Sequence, residues 1–262
     1  MNPIYVPDGA AREYAELALN IYTECPHGCV YCYAALQAKR FGKPWTGNVE
    51  PRENLLESLK RQLDKGYVLA KNDKNNPTPT ESRRVQLGGK LIHLCFDCDP
   101  YPCGFDTSIT REVIKIIKDS GNHVQILTKG RDAERDFDLL DSNDWFGITF
   151  SGNDNFEPFA ENPFERYGTL MKAREQGIKT WLSCEPVLNE FMIYLMIPYA
   201  NVDLLRIGKL NHVGNNQRLK KIHDSINWYD FGHECEQLCE KHGRNYYIKD
   251  GLRKIMEVNH DA

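Results

Sequence analysis

Short β-rich runs and amphipathic helical stretches alternate along most of the 262 residues, and this rhythm restricts the fold more than any other feature. Runs at 17–23 (LALNIYT), 91–97 (LIHLCFD), 123–128 (HVQILT), 146–150, 178–184 and 202–207 read as strands. Helical stretches are predicted at 54–65, 107–118, 131–140, 163–176, 189–199 and 230–242. Leu55, Leu56, Leu59 and Leu63 share one helix face, as do Ile109, Val113, Ile116 and Ile117. About six strand–helix units in succession imply a parallel sheet with helices outside it, either open or curled into a partial barrel. In both arrangements function sits at the carboxyl ends of the strands.

The chain reads as one domain, with a core at about 17–210 and a helical extension at about 215–262. The segment 66–90 breaks the rhythm. It is polar, contains Pro77 and Pro79, and carries Lys71, Lys74, Arg83, Arg84 and Lys90 against Asp73 and Glu81. It reads as a solvated loop, or more sharply as a lid or a contact for an anionic substrate. Lys plus Arg is 33 and Asp plus Glu is 37, a net charge of −4, which excludes a generally basic nucleic-acid surface but leaves room for a local patch. The apolar run from Phe191 to Ala200 is too short to span a bilayer, and the first residues lack an apolar signal-peptide core. A cytoplasmic protein with no membrane partner is expected.

Nine cysteines, an odd number, argue for thiols or metal ligands rather than a disulfide framework. Three of them form Cys25-Pro26-His27-Gly28-Cys29-Val30-Tyr31-Cys32, a C-x3-C-x2-C spacing just after the first strand. Three thiolates from one tight loop suit an iron–sulfur cluster. A structural zinc site wants four ligands, and the loop offers only His27 as a strained fourth. A four-iron cluster on three cysteines leaves one iron for an exogenous ligand. Gly28 supplies backbone freedom within the loop.

This spacing, with an aromatic residue before the last cysteine, resembles the radical S-adenosylmethionine (SAM) superfamily. Further segments resemble the spore photoproduct lyase family within it: Tyr31-Cys32-Tyr33, Asp99-Pro100-Tyr101, Leu127-Thr128-Lys129, Thr149-Phe150-Ser151 and Asn155-Phe156-Glu157-Pro158. The resemblance runs from about Ala18 to Val187, with a weaker echo at Tyr247-Ile248-Lys249-Asp250. It implies a partial (β/α)6 barrel, a [4Fe–4S] cluster on Cys25, Cys29 and Cys32, and reductive cleavage of SAM to a 5′-deoxyadenosyl radical. It also implies a flavodoxin- or ferredoxin-type electron donor and a nucleic acid substrate for repair or modification. A peptide or small-molecule substrate, or a non-catalytic zinc protein, is the alternative.

The chemistry of the matching positions suits SAM. Lys129 at a strand tip can pair with its carboxylate. Asp99 can accept from its ammonium, Ser151 can bond a ribose hydroxyl or the carboxylate, Glu185 can bind a substrate or ribose group, and Tyr31 offers a flat face to the adenine. Ordinary structural roles for these residues stand beside those readings: a loop lysine, a turn aspartate, a helix cap. Tyr33 is the expected hydrogen relay.

The family's C-T-S-D run, whose cysteine returns hydrogen to the substrate, is here Phe96-Asp97-Cys98-Asp99. Cys98 shares the strand face of Phe96, whereas Cys95 is expected on the opposite face. Cys98 and Cys184 are therefore the candidate thiol donors. Cys95, Cys98, Cys103 and Cys184 are also readable as packed thiols or as ligands of a second cluster. Cys235 and Cys239, four apart on a helix, read as core packing or as a ligand pair.

Overall fold

The computed structural model describes residues 2–70 and 84–257. The chain contributes β1 (Leu17–Leu19) to a main sheet, then forms β2 (Tyr67–Leu69) and β3 (Arg84–Gln86) as a separate antiparallel ribbon. The main sheet continues through β4 (Leu91–Leu94), β5 (His123–Thr128), β6 (Trp145–Thr149), β7 (Lys179–Cys184), β8 (Leu204–Ile207) and β9 (Tyr246–Ile248). These seven strands are all parallel and lie in chain order, β1-β4-β5-β6-β7-β8-β9. Among the described residues β1 and β9 do not pair, so the barrel is partial.

Among the described residues eight α-helices accompany the strands: α1 (Tyr33–Arg40), α2 (Leu55–Lys65), α3 (Ser108–Asp119), α4 (Pro163–Glu175), α5 (Glu190–Met196), α6 (Gln217–Ser225), α7 (Trp228–Lys241) and α8 (Asp250–Met256). Four of them begin on an asparagine whose side chain accepts a first-turn amide: Asn162, Asn189, Asn216 and Asn227. The helices bury their apolar stripes on the sheet; in α3 these are Val113, Ile114 and Ile117, all fully buried.

The strand alternation sorts side chains between two environments. On β7, Leu182 and Cys184 face the helix layer while Trp181 and Ser183 face the barrel interior, where the Tyr14 ring lies 5.7 Å from that of Trp181. The Trp181 indole crosses β6 at Gly147 and donates from Nε1 to the Ile126 carbonyl of β5 at 3.1 Å. A Cβ at position 147 would lie 2.2 Å from that nitrogen. Gly147→Ala is therefore expected to destabilise the fold by about 1–3 kcal/mol through overpacking. A urea midpoint equal to that of the wild type would show that the indole swings aside instead.

Residues 5–14 strap the two edges of the sheet together. Tyr5 exchanges two 2.9 Å backbone hydrogen bonds with Ala18 of β1. Beyond the 3-10 turn Gly9–Glu13, the Glu13 carboxylate accepts from the Tyr247 hydroxyl of β9 and from the Asp250 amide. Arg206 of β8 donates to the Glu13 and Tyr14 carbonyls, and its guanidinium sits 5.2 Å from both the Tyr14 and the Trp181 ring centres.

The parallel β/α architecture read from the sequence is present, with differences at its margins. The sheet has a seventh strand, β9, inside the stretch expected to be purely helical. The strand expected at 91–97 stops at Leu94, because Cys95 adopts a φ of +67°. The stretch 131–140 is 3-10 rather than α-helical. Residues 67–69 and 84–86 of the expected loop are the β2–β3 ribbon, where side chains from both ends, Lys65 and Arg84, cover the Tyr67 ring. Lys71, Lys74, Pro77, Pro79 and Arg83 lie outside the described residues. Helix α1, which starts at the residue after Cys32, was not signalled by an apolar stripe, since it buries only Ala34.

Candidate active site

Cys25, Cys29 and Cys32 lie half-buried on the loop between β1 and α1. The loop is built rigidly. Val30 donates to the Phe156 carbonyl at 2.9 Å, and Phe159 donates to the His27 carbonyl at 3.2 Å. Glu24 accepts from the Thr46 and Gly47 amides at 2.7 Å each. Gly28 takes a φ of +63°, and a Cβ there would press within 2.9 Å of the Phe159 ring. The F-E-P turn is thus the buttress of the cysteine loop. At the other end, the Cys32 sulfur accepts from the Ala35 amide at 3.5 Å, so the positive end of α1 faces that sulfur.

The three cysteines open onto a cavity of about 410 Å³ at the carboxyl ends of the strands. Its walls include Tyr31, Tyr33, Cys95, Cys98, Lys129 and Glu185, with Ala10, Ala11 and Tyr14 of the strap. The Lys129 ammonium stands 5.6 Å from the centre of the Tyr31 ring and has no ion pair or hydrogen bond among the described residues. Burial pulls its pKa down, but Cys29, Glu157 and Asp99 outweigh that and hold it above the usual lysine value. Burial pushes the Cys29 thiol up to about 11 against the pull of Lys129, and burial with Asp99 nearby raises Cys25 further.

Behind the cavity wall lies a fully buried ion pair. Arg166 of α4 donates to Glu157, whose other oxygen accepts the Tyr31 hydroxyl. Arg166 also donates to the carbonyls of Thr149 and Glu161. Burial favours the neutral Glu157, but Lys129 and Arg166 prevail and keep its carboxyl below the usual glutamate pKa. The pair fixes Tyr31, and with it the last turn of the cysteine loop.

The donor set fits a polynuclear cluster better than zinc. A tetrahedral zinc with Zn–S near 2.3 Å needs sulfurs about 3.8 Å apart. Among the described residues, the set of three ligand-type atoms lying within 4.8 Å of one another is His123, Asp141 and Asp144; the three loop sulfurs are not so close. That acidic group lies at the amino ends of the strands, and both of its carboxylates pair with Lys118. His27 is not a spare ligand. It is buried, its Nε2 accepts the Cys103 amide at 3.0 Å, and its Nδ1 faces Asp99 at 3.6 Å.

Several expected site residues need correction. Asp99 borders the cavity, but its carboxylate is occupied by the amides of Tyr101 and Lys129, at 2.9 and 2.8 Å, and by the Thr128 hydroxyl. It is a strut tying β4 to β5, with little capacity left for an ammonium. Ser151 is buried off the cavity wall, its hydroxyl donating to the Asn153 carbonyl at 3.4 Å. Cys184 is fully buried on the helix side of β7 near Cys239, because strand parity turns it away from the interior. Cys95, expected to point outward, lines the cavity with Cys98. Cys235 and Cys239 are fully buried core. Glu185 is on the wall, bonded to Tyr14 at 2.7 Å, to Asn211 at 3.0 Å and to Lys249. Tyr14 carried no signal in the sequence, since its segment lies before the first strand–helix unit.

Fold and site together define a parallel β/α partial barrel with a three-cysteine loop at its carboxyl mouth. No family model matches the chain. It is 27% identical to an uncharacterized protein of Methanocaldococcus jannaschii over 215 residues, 77% of this chain and 71% of that one. Among solved structures it is similar to a spore photoproduct lyase variant with bound AdoMet and dinucleoside spore photoproduct, at a TM-score of 0.64 and 15% identity. It is also similar to that enzyme complexed with dinucleoside spore photoproduct, at 0.63 and 14%. Both matches cover 93% of this chain and 79% of the other. The resemblance read from the sequence is thus borne out in the fold. Among the described residues, no helix is long and apolar enough to cross a membrane.

Proposed function

We propose that the protein is a radical SAM enzyme acting on nucleic acid. The observation that carries this reading is the convergence of Cys25, Cys29, Cys32 and the unpaired Lys129 ammonium on one cavity. The three thiols would hold a [4Fe–4S] cluster, reduced by a flavodoxin- or ferredoxin-type donor, with SAM on the iron that lacks a cysteine. Cluster and SAM together supply a 5′-deoxyadenosyl radical.

The chain's own residues bind, orient and shield. Lys129 presents a positive charge for the SAM carboxylate. Tyr31 is rigid because Glu157 and Arg166 hold its hydroxyl, so its ring is a fixed wall. Glu185, oriented by Tyr14, Asn211 and Lys249, offers a carboxylate to a ribose or substrate hydroxyl. Tyr33 and Cys98 sit on the same wall and are the hydrogen relay of this reading. The Tyr33 hydroxyl donates to the Phe96 carbonyl, within the turn that carries Cys98.

Nucleic acid as substrate is supported by the dinucleoside ligands of the spore photoproduct lyase structures. The test is anaerobic reconstitution, then dithionite and SAM in the presence of a deuterated thymine-containing oligonucleotide. Iron and sulfide should be bound, and deuterium should appear in the 5′-deoxyadenosine. Deoxyadenosine without deuterium would remove nucleic acid and leave a peptide or small molecule. Stoichiometric zinc with no deoxyadenosine would remove the radical chemistry.

A further inference from the structure

β4 ends at Leu94, and Cys95 then takes a φ of +67°, a left-handed conformation that residues other than glycine rarely adopt. The kink resets the side-chain alternation, so that Cys95 and Cys98 both line the cavity that receives the cysteine loop. The turn between them is pinned from two sides. Asn20 Oδ1 accepts the Phe96 and Asp97 amides at 2.7 and 3.1 Å, and Tyr33 donates to the Phe96 carbonyl. The Cys95 sulfur is buried and accepts the Ile21 amide at 3.4 Å, while Cys98, three residues on, is half-buried. Neither residue is in a disulfide. Backbone strain of this kind persists where the surroundings over-determine it, and it gathers at functional sites.

We propose that Cys95 and Cys98 are a redox-active Cys-x-x-Cys couple that exchanges with small disulfides of the glutathione class and closes to a disulfide inside the cavity. Cys98, the more accessible sulfur, loses its proton and attacks the small disulfide. That S–S bond breaks, one small thiol leaves, and a mixed disulfide forms on Cys98. The Cys95 sulfur then gives up its proton and displaces the second small thiol. Two protein S–H bonds are lost, one S–S bond is gained, and the small disulfide is reduced to two thiols. The open form presents transferable S–H groups beside Tyr33, and the closed form presents none. That hydrogen-donor consequence rests on the radical reading above; the couple itself does not.

Both sulfurs lie in one tryptic peptide, residues 91–111, bounded by Lys90 and Arg111, which also contains Cys103 as an internal control. The Cys103 thiol is off the cavity wall, facing the Lys129 carbonyl at 3.9 Å. The protein is equilibrated anaerobically with glutathione buffers of rising oxidised fraction, then alkylated, digested and weighed. The peptide should pass from triply alkylated to alkylated on Cys103 alone, two hydrogens lighter than the singly alkylated peptide with both other thiols reduced. Cys98→Ser should abolish the transition, and Cys103→Ser should leave it intact. Cys95 and Cys98 alkylated at every ratio, or a bridge from either one to Cys103 or to the 25–32 loop, would overturn the couple. Protein that stays iron-free after anaerobic reconstitution but shows the transition keeps the couple and sinks the radical reading; iron-loaded protein without the transition does the reverse.

Discussion

Cys29→Ala protein, reconstituted anaerobically, is expected to retain its fold while losing both its iron and its SAM cleavage. Three thiols from one loop are the full protein ligand set of the cluster proposed here, and two sulfurs leave half of its irons without a protein ligand. Cys29 is the informative choice because, of the three loop cysteines, it is the one that bears most on the Lys129 ammonium. The loop should keep its shape, since its anchors are the Val30–Phe156, Phe159–His27 and Cys103–His27 hydrogen bonds, none of which uses the Cys29 side chain. Circular dichroism should therefore match the wild type, while bound iron and the deoxyadenosine rate fall to background. Full iron and sulfide with sustained deoxyadenosine production would refute the assignment of the loop.

Arg166→Leu is expected to be the most destabilising of the single changes considered. It strands the Glu157 carboxylate in a fully buried position, and breaking such a pair from one side costs about 3–5 kcal/mol. It also removes donors from the Thr149 and Glu161 carbonyls. The pH dependence carries the signature. In the native protein the Glu157 pKa is depressed, so its contribution is complete above the unfolded glutamate pKa and is lost as pH falls through the folded value. In the variant the guanidinium is gone and protonated Glu157 is the better tolerated form. The stability gap between the two proteins should therefore narrow as pH falls from neutral towards 4, a range set by the ordinary carboxyl pKa of about 4.3. Denaturant titrations at several pH values read this directly; a constant gap would mean that packing, not charge, sets the cost.

Much of the architecture was legible because it is local. The helix stripe of Leu55 and Leu59 and the runs from Leu91 and His123 announce their own elements, and the C-x3-C-x2-C spacing needs no tertiary information. Strand parity applies only within a strand, and it failed at Cys95 because the strand had already ended. It would have been informative at Cys184, where parity turns the thiol towards the helices. The backbone contacts of Asp99 were not legible, because a carboxylate at a strand tip looks the same in sequence whether it meets a ligand or two backbone amides. β9 and the strap of residues 5–14 were missed for another reason. Three-residue strands and isolated bridges have no period, and what holds them is contact with distant partners such as Arg206.

That strap sets the direction of approach to the cysteines. A barrel left open between its first and last strands has a gap along its flank. Here Ala10, Ala11 and Tyr14 occupy the gap, latched by Glu13 to Tyr247 and by Arg206 to the passing carbonyls. The cavity is thereby walled on that flank, and the loops after β4, β5 and β7 border it. A reacting unit within a long duplex would then have to be everted from its stack to reach the bottom, as base-modifying enzymes require, while a chain end or a small molecule could enter without that distortion.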